Sequence, residues 1–257
     1  MTGSAHGGVY SVSVRATFSL VVCLLLAPAC RHSYYSRATR VVATASSDVA
    51  AVGVRAVRVE ALQGTMTFVP SQDDSISATV SIGPARGAMG RERDCPLPSG
   101  SAEVRARRRQ STVLLGLADE PGDQCVVAWE VAVPRGILVE ATLTVGDIDV
   151  RELANPAVLR SKVGTITVDG ESASVSAETE IGGINVRLRS PSYALVDLET
   201  NVGDVELELD GGRLERRRPA GTGDALSLKG PGSQRIVLRA GVGDVRLALG
   251  ADPGPHE

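Results

Sequence analysis

The chain has 257 residues, of which 43% are hydrophobic, 22% charged and only 3% aromatic, and its formal net charge is −3. This length supports one sizeable core or two small ones, and the near-neutral charge gives no reason to expect a nucleic-acid partner. The three histidines, His6, His32 and His256, lie near the chain ends, which excludes a Ser–His or Cys–His mechanism and a histidine metal site from the body of the chain.

The first recognisable element is an apolar run over residues 16–29 that ends in small side chains. It is too short for a stable bilayer anchor, and its length and flanks are typical of a secretory signal, with a buried apolar strand as the alternative. Residues 27–29 fit the small-x-small rule of signal peptidase, and residues 26–30 resemble a bacterial lipobox. We therefore predict a signal peptide over 1–29, with Cys30 either acylated or simply the cleaved N-terminus.

Export would place the remaining cysteines in an oxidising compartment, where disulfides persist. Cys23 leaves with the signal and Cys30 is the lipidation candidate, so Cys95 and Cys125 are the pair left in the body. No CxxC spacing occurs, which argues against a redox motif or a zinc ribbon. We predict a disulfide between Cys95 and Cys125, with two unpaired buried thiols as the alternative.

The body of the chain has the period of β-strands. Polar and apolar residues alternate from residue 57 in VRVEALQGTMTFV, the alternation is interrupted by a Gly/Pro-rich segment at 83–101, and no convincing 3.6-residue pattern occurs. The sequence therefore predicts an all-β protein. Its expected parts are a flexible tether over 30–54, a β-solenoid domain over 55–250 (irregular over 55–130, regular over 131–250) and a disordered tail over 251–257.

The regular part repeats a glycine corner followed by a short strand, as in VGDIDV at 145–150. The corners follow one another at steps of 18, 18, 21 and 40 residues, and a degenerate copy, TGDALSL, divides the last step into 20 and 20. Such a period is typical of repeat proteins in which each turn covers its neighbour. We predict a single-stranded β-solenoid with coils of about 20 residues, its glycines aligned along the axis. The corners are Gly146, Gly164, Gly182, Gly203, Gly223 and Gly243.

Alternation also predicts which side chains face the core of this solenoid. Residues just before a corner, such as Val145, Val202 and Val242, are expected to point inward, and so are the apolar residues two and four positions after it. The Gly223 copy slips by one residue, for which we predict a β-bulge. Outward residues five positions after each corner, or six after Gly223, alternate in charge, which predicts a ladder of opposite charges if the coils stack in sequence order. Its members are Arg151, Asp169, Arg187, Glu208 and Lys229.

The run from VAVPRGILVEATLTVGDIDV through VGTITV, IGGINV and VGDVEL to IVLRAGVGDVRLAL resembles the bacterial putative-adhesin domain, a family of unknown function. Members of that family have an entry strand ending in Pro-x-Gly, here Pro134-Arg135-Gly136, followed by β-solenoid coils with Gly-Asp corners. The resemblance covers about residues 126–249 and reaches back toward residue 55, where QGTMTF resembles an early corner. It implies an adhesin-like role and brings no catalytic motif.

The corner acids are the best candidates for chemistry in this chain. The last three would stack on successive turns, where carboxylates repel one another unless a cation such as calcium lies between them. The alternative, which we favour, is that each Asp hydrogen-bonds the backbone of its own turn. Thr165 and Gly183 interrupt the acidic series at equivalent positions. The four acids are Asp147, Asp204, Asp224 and Asp244.

Enzymatic chemistry has little support in the sequence. A polysaccharide-acting β-helix enzyme would need a clustered acid–base pair on one face of the coil. Lys162 and Lys229 leave Ser–Lys catalysis formally open, but neither lies in a catalytic motif. Two basic runs, at 105–109 and 216–218, are interpreted as a solvated strand face and a loop, with anionic lipid headgroups or surface polysaccharide as alternative partners.

The sequence thus predicts an exported bacterial envelope protein, a membrane-anchored lipoprotein, that acts without catalysis as an adhesin-like or scaffold module. No cofactor or metal is expected. The partner is an unidentified protein or envelope component, and the membrane is reached through Cys30. Two alternatives stay open: a structural β-solenoid that self-associates through its open coil ends, and a polysaccharide-acting β-helix enzyme.

Overall fold

The structure is a computed structural model that describes residues 40–85, 94–97, 100–171, 173–189, 192–209, 212–215 and 223–250. These residues belong to one compact unit spanning residues 35–257. The predicted signal peptide, Cys30, the second basic run and the predicted tail lie outside the described residues.

The described residues form strands and no helix, which confirms the all-β prediction, and all seventeen strands join one sheet that does not close on itself. Within this part of the chain, no helix is therefore long and apolar enough to cross a membrane. The strands are β1 (Ala43–Ala50), β2 (Ala56–Pro70), β3 (Ser75–Pro84), β4 (Val104–Arg109), β5 (Thr112–Leu117), β6 (Cys125–Val133), β7 (Leu138–Leu153), β8 (Ala157–Val163), β9 (Ile166–Gly170), β10 (Val175–Ile181), β11 (Ile184–Leu188), β12 (Tyr193–Val202), β13 (Val205–Leu209), β14 (Gly212–Glu215), β15 (Asp224–Lys229), β16 (Gln234–Val242) and β17 (Val245–Leu249).

β1 lies inside the segment that the sequence predicts to be a tether. It pairs antiparallel with β3, from Ala43 opposite Ile82 to Ala50 opposite Ser75. Its inward side chains, among them Ala45 and Val49, pack against the core. The tether prediction is therefore wrong for residues 43–50, because their weak alternation of small residues is enough to cover β3.

The centre of the sheet is a stack of parallel layers, each with one strand before a corner glycine and one strand after it. β2 and β7 run continuously through their corners and pair from Ala56 opposite Leu138 to Phe68 opposite Val150, with Gly64 opposite Gly146. Each of the other layers is a pair of strands. We call the strands before the corner glycines, together with the first halves of β2 and β7, the first arm. The strands after the corners, together with the second halves of β2 and β7, are the second arm. In space the layers follow the order β2, β7, β8–β9, β10–β11, β16–β17 and β12–β13.

This spatial order differs from the predicted sequence order, because β16–β17 lies between β10–β11 and β12–β13. The 40-residue step between Gly203 and Gly243 holds two antiparallel strands in place of a further coil: β14 pairs with β13, and β15 pairs with β12. Each of these strands occupies one edge of the β12–β13 layer. The chain that follows can therefore add only to the opposite edges, which face β10–β11.

Antiparallel strands also complete the other end of the sheet. β5 and β6 run parallel to the two halves of β2 as a broken layer, with β4 antiparallel to β5 and β3 antiparallel to β6. The part of the chain that was expected to be irregular thus continues the regular stack, since β2 shares the corner register of β7.

The inward side chains of both arms form one hydrophobic core. After the corners, the predicted inward residues are buried, as Ile148, Ile166 and Val205 illustrate with exposed fractions of 0%, 0% and 5%. Farther before the corners the predicted inward residues are also buried, as Leu143 and Leu238 show, and the prediction is wrong only for the residue immediately before the corner. Val202 and Val242 are 47% and 37% exposed, and Val145 is half-buried. At Gly164, Gly182 and Gly203 the two residues before the glycine are both exposed, so the alternation is lost there.

Candidate functional site

Six glycines lie over one another where the two arms meet, in the order Gly64, Gly146, Gly164, Gly182, Gly243 and Gly203. All have positive φ, between +126° and +147°, a conformation that L side chains rarely adopt. A Cβ added to each of the last five would overlap the carbonyl oxygen of the preceding glycine in the column. Only glycine therefore allows successive layers to approach this closely.

Gly223, predicted as a corner, lies outside this glycine column. It has no positive φ, and its neighbours are the carbonyl oxygens of Thr200 and Asn201. It precedes β15, which runs antiparallel to β12 with Asp224 opposite Thr200. The slipped pattern of TGDALSL therefore reflects a change of strand direction, and the predicted bulge is wrong.

The corner acids hydrogen-bond backbone amides, mostly those of a neighbouring layer. Asp147 Oδ1 accepts from the Thr165 amide at 2.8 Å, and Asp244 Oδ1 accepts from the Asp204 amide at 3.1 Å. Asp224 is 5% exposed and accepts from the amide of Ala225 at 2.9 Å. The predicted capping thus crosses between layers for Asp147 and Asp244, because the glycine column brings successive corners together.

The expected stack of three acids does not form. Asp244 and Asp204 occupy neighbouring corners, whereas Asp224 lies beside Thr200 on the edge strand β15. In the part of the chain that the structure describes, no group of three or more His, Cys, Asp or Glu side chains could hold a metal ion. A cation between stacked corner carboxylates is therefore not supported by this arrangement.

Cys95 and Cys125 form the predicted disulfide, with their Cα atoms 5.0 Å apart. Cys125 is fully buried at the start of β6, and Cys95 is partly buried against the core. The bond therefore attaches the segment 94–97 to the broken layer at one end of the sheet.

The predicted row of alternating charges after the corners is wrong. Arg151 pairs with Asp149 on its own strand at 2.7 Å, because the register shifts beyond Val150. Arg187 lies opposite Asp169 on one side, but Ala248 separates it from Glu208 on the other. Lys229 faces Leu195 on β12. The prediction assumed that layers stack in sequence order, and they do not.

A different ladder of alternating charges runs across the outer face of the first arm. Arg160 lies opposite Glu178, Glu178 opposite Arg239, and Arg239 opposite Glu199. Ion-pair distances are 3.7 Å for Arg160–Glu178 and 3.5 Å for Arg239–Glu199. Each member precedes its corner glycine by four residues. We call Arg160, Glu178, Arg239 and Glu199 the charge ladder.

A matching ion pair joins the two continuous strands β2 and β7. Arg58 Nε donates to Glu140 at 2.6 Å. The Glu140 carboxylate raises the pKa of Arg58 above its ordinary value, through this hydrogen bond first and through charge attraction second. Paired charges therefore extend along the outer face of the first arm beyond the charge ladder.

Comparison with known proteins gives a likeness of fold. No family model and no curated protein matches the chain. Its structure is similar to that of a putative cell adhesion protein from Clostridium sporogenes ATCC 15579, with 14% identity and a TM-score of 0.52 over 80% of this chain and 98% of that one. A putative adhesin from Bacteroides fragilis NCTC 9343 is matched with 12% identity and a TM-score of 0.31 over 79% of this chain and 96% of that one. At 14% identity, the first likeness extends to the fold alone.

Three buried hydroxyls at the corners were not recognised from the sequence. Ser161, Thr179 and Thr200 are 4%, 2% and 2% exposed. Each donates a hydrogen bond to the carbonyl of a corner glycine in an adjacent layer. The signal was present, because each is a polar residue at an inward position three residues before its own corner glycine.

Proposed function

We propose that this chain is an exported envelope protein that acts without catalysis as an adhesin-like or scaffold module. In this proposal the layered strands are the coils of a β-solenoid, each about 20 residues long, whose outer faces bind a partner. Parallel layers that share one corner register support the solenoid interpretation. The description of the first structural relative as a putative cell adhesion protein agrees with the proposed role.

The charge ladder is the observation that carries this proposal. Its four side chains lie in one row on neighbouring strands, with relative exposures of 51–62%. A row of exposed charges held at the strand spacing can meet complementary charges on a partner surface, and such complementarity sets specificity and association rate. Catalysis would instead require acid and base groups that converge on one reacting atom.

The proposal is tested by reversing the ladder while keeping its internal ion pairs. A fourfold variant, Arg160→Glu, Glu178→Arg, Arg239→Glu and Glu199→Arg, should still fold, because opposite charges remain opposite one another within the row. It loses the Asp197–Arg239 pair of 3.4 Å, which is exposed and contributes little. The parent and the variant are used to capture components from intact bacterial envelope, which are then identified. We expect the parent to retain a specific component that the variant loses.

Arg105→Glu provides the control, since Arg105 is exposed on β4 outside the ladder. It should retain whatever the parent retains. If the fourfold variant folds normally and captures the same component as the parent, the ladder is not the binding surface. Turnover of an envelope polysaccharide by the purified parent would overturn the non-enzymatic role.

Anchoring through Cys30 is a separate proposal, which is supported by the lipobox-like sequence of residues 26–30. Cys30→Ser should release the chain from the membrane fraction, and globomycin should block processing of the parent. A Cys30→Ser chain that stays with the membrane would contradict the lipid anchor.

Self-association is a second candidate function, supported by the edge strand β1. β1 pairs with β3, and its eight residues contain no Lys or Pro of the kind that protects strand edges. Sedimentation should then show larger species as concentration rises, and Ser47→Lys should suppress them. A parent chain that remains monomeric at high concentration would rule this candidate out.

A further inference from the structure

The charge ladder has a symmetry that limits the kinds of surface it can match. Its signs run plus, minus, plus and minus across β8, β10, β16 and β12. Read in the opposite direction, the same row runs minus, plus, minus and plus, which is the opposite sign at every position. Two copies of this face can therefore meet with every charge opposite one of the other sign, provided that their layers run in opposite directions.

A single two-fold axis produces this arrangement. The axis runs parallel to the strands, midway between β10 and β16, so it reverses the order of the layers and keeps the position along each strand. It places Arg160 opposite Glu199 of the second copy, and Glu178 opposite Arg239 of the second copy. Symmetry repeats each pair once, so every charge of both rows is matched.

The outward rows on either side of the charge ladder are compatible with the same axis. These rows lie two residues nearer to the corner glycines and two residues farther from them on the four strands of the ladder. In neither row would two like charges face each other. The facing pairs are Lys162 with Asn201, Glu180 with Gly241, Val158 with Asp197, and Ser176 with Val237.

A row of exposed β-branched side chains lies along the corner margin of this face. Its members directly precede their corner glycines and lie opposite one another on neighbouring strands. Val163, Ile181, Val242 and Val202 are 40%, 37%, 37% and 47% exposed, and we call them the apolar row. The two-fold axis sets Ile181 against Val242 of the second copy, and Val163 against Val202. Contact there removes apolar surface from water, which favours association.

The face is large enough for a specific contact. β7, β8, β10, β16 and β12 lie side by side, with β15 at their edge. At the strand spacing these strands make a face about 29 Å wide, and seven residues of each give a length of about 23 Å. Two copies would bury roughly 1,300 Å² in total, which lies at the lower end of specific protein–protein interfaces.

We propose that two copies of this chain bind each other through the outer face of the first arm, with their charge ladders in opposite directions. This inference rests on the proposed function, for which it names the partner. An unrelated protein would need its own complementary row of charges, whereas a second copy already carries one. The contact differs from association through β1, which would extend the sheet at its edge.

Two single reversals test the facing pair of Arg160 and Glu199. In a dimer of Arg160→Glu chains the new carboxylate meets Glu199, and in a dimer of Glu199→Arg chains the new guanidinium meets Arg160. Each contact occurs twice, so each variant should associate about tenfold more weakly than the parent. An equimolar mixture should recover the affinity of the parent, because the facing charges are opposite again. The two residues lie three strand spacings apart within one chain, so this recovery can arise only between copies.

The fourfold variant of the charge ladder gives a second readout. Its signs are opposite to each other when its own row is reversed, so it should associate with itself as the parent does. Against the parent, every facing pair has like charges, so mixed dimers should be at least about tenfold weaker. Native mass spectrometry with a ¹⁵N-labelled variant separates mixed from matched dimers by mass. Mixed dimers as abundant as matched ones would contradict the proposal.

Sedimentation equilibrium of the full chain measures the association of the parent, the single variants and their mixture. Arg105→Glu is the control and should associate like the parent, because Arg105 lies on β4 outside the face. Ile181→Thr keeps the branched shape of the side chain and should weaken the dimer about tenfold. If the mixture associates no better than either single variant, the proposal is wrong. A monomeric parent that captures a different envelope component would also overturn it, and would leave the proposed function in place.

Discussion

Thr200 Oγ1 donates a hydrogen bond to the carbonyl oxygen of Gly243 at 2.8 Å, although 43 residues separate them along the chain. Equivalent bonds of 3.2 Å join Ser161 to Gly146 and Thr179 to Gly164. The corner carbonyls point along the glycine column, toward the next layer. A buried carbonyl without a partner is unfavourable, so these hydroxyls stabilise the column where the two arms meet.

Replacing Thr200 with valine should remove this hydrogen bond while keeping the volume of the side chain. We expect Thr200→Val to lower the free energy of unfolding by about 1–3 kcal/mol, because the carbonyl of Gly243 is left without its partner. Thr200→Ser keeps the hydroxyl and should cost about 1 kcal/mol through the lost methyl group. Urea unfolding measures both. A valine variant as stable as the parent would show that the bond contributes nothing.

Gly164 should be far less tolerant of substitution than Gly116. Gly164 has φ +147°, and an added Cβ would overlap the carbonyl oxygen of Gly146, so Gly164→Ala should cost about 3 kcal/mol or prevent folding. Gly116 lies in β5 with no heavy atom within 4 Å of an added Cβ, so Gly116→Ala should change stability by about 0.5 kcal/mol or less. Thermal unfolding of the two variants makes the comparison. Equal effects would contradict the close approach of the layers.

The disulfide should account for a large part of the stability. It joins residues 30 positions apart, so the pair Cys95→Ala and Cys125→Ala should lose roughly 3–4 kcal/mol in the chain-entropy model. Guanidinium unfolding measures this loss. Reduction of the parent should produce a similar loss, and a reduced parent with unchanged stability would count against the prediction.

Arg239 should stabilise the layer order through its acidic neighbours, because it pairs with Asp197 at 3.4 Å and Glu199 at 3.5 Å and lies opposite Glu178. Arg239→Glu would place three carboxylates in one row with Glu178 and Glu199. We expect a loss of about 1 kcal/mol, and a smaller loss for Arg239→Gln, because exposed pairs contribute little each. The loss should shrink in high salt, since salt screens exposed charges. An effect that does not depend on salt would indicate that packing, and not charge, is responsible.

Asp73 should titrate below the ordinary value for an aspartate. Hydrogen bonds from the Ser75 hydroxyl, then the Ser71 hydroxyl and the Ser75 amide, lower the pKa of its carboxyl below 3.8. The Asp73 carboxyl therefore binds a proton less readily in the folded state than in the unfolded state. The stabilisation that these hydrogen bonds give the folded state is therefore fully present above pH 3.8, and it is lost as the pH falls through the lower pKa of the folded state.

The pKa of Asp73 can be followed by NMR titration. Ser75→Ala should raise it toward the ordinary value by removing the largest cause of the shift. Ser77→Ala is the control, because Ser77 lies farther along β3 and donates nothing to Asp73 in the structure. A Ser75→Ala variant with an unchanged Asp73 pKa would contradict the assignment.

Much of the fold follows from local patterns in the sequence. Alternation predicts strands, and it places Ile148 and Ile166 in the core because side chains on a strand point to opposite faces in turn. Export predicts the bond between Cys95 and Cys125 because no other cysteine remains in the body. β1 was missed because its small residues alternate too weakly, and the outward position of Val242 was missed because the corner interrupts the period.

The candidate sites depend on contacts that no local pattern contains. Gly223 matches the corner motif in sequence, yet it lies beside β12, because the strand that follows runs antiparallel. Ala248 of β17 lies between Arg187 of β11 and Glu208 of β13, which are 21 residues apart in the sequence. Spacing along the chain cannot reveal which strand lies between two others.

The sequence by itself determined most of the corners, strands and inward side chains, because glycine conformation and the two-residue period of a strand are local properties. Only the tertiary structure decided the order of the layers. Glu178 would face Glu199 if the layers followed the chain, whereas the observed order places Arg239 between them. β14 and β15 occupy one side of β12–β13, so the returning strands pair on the other side, where opposite charges meet.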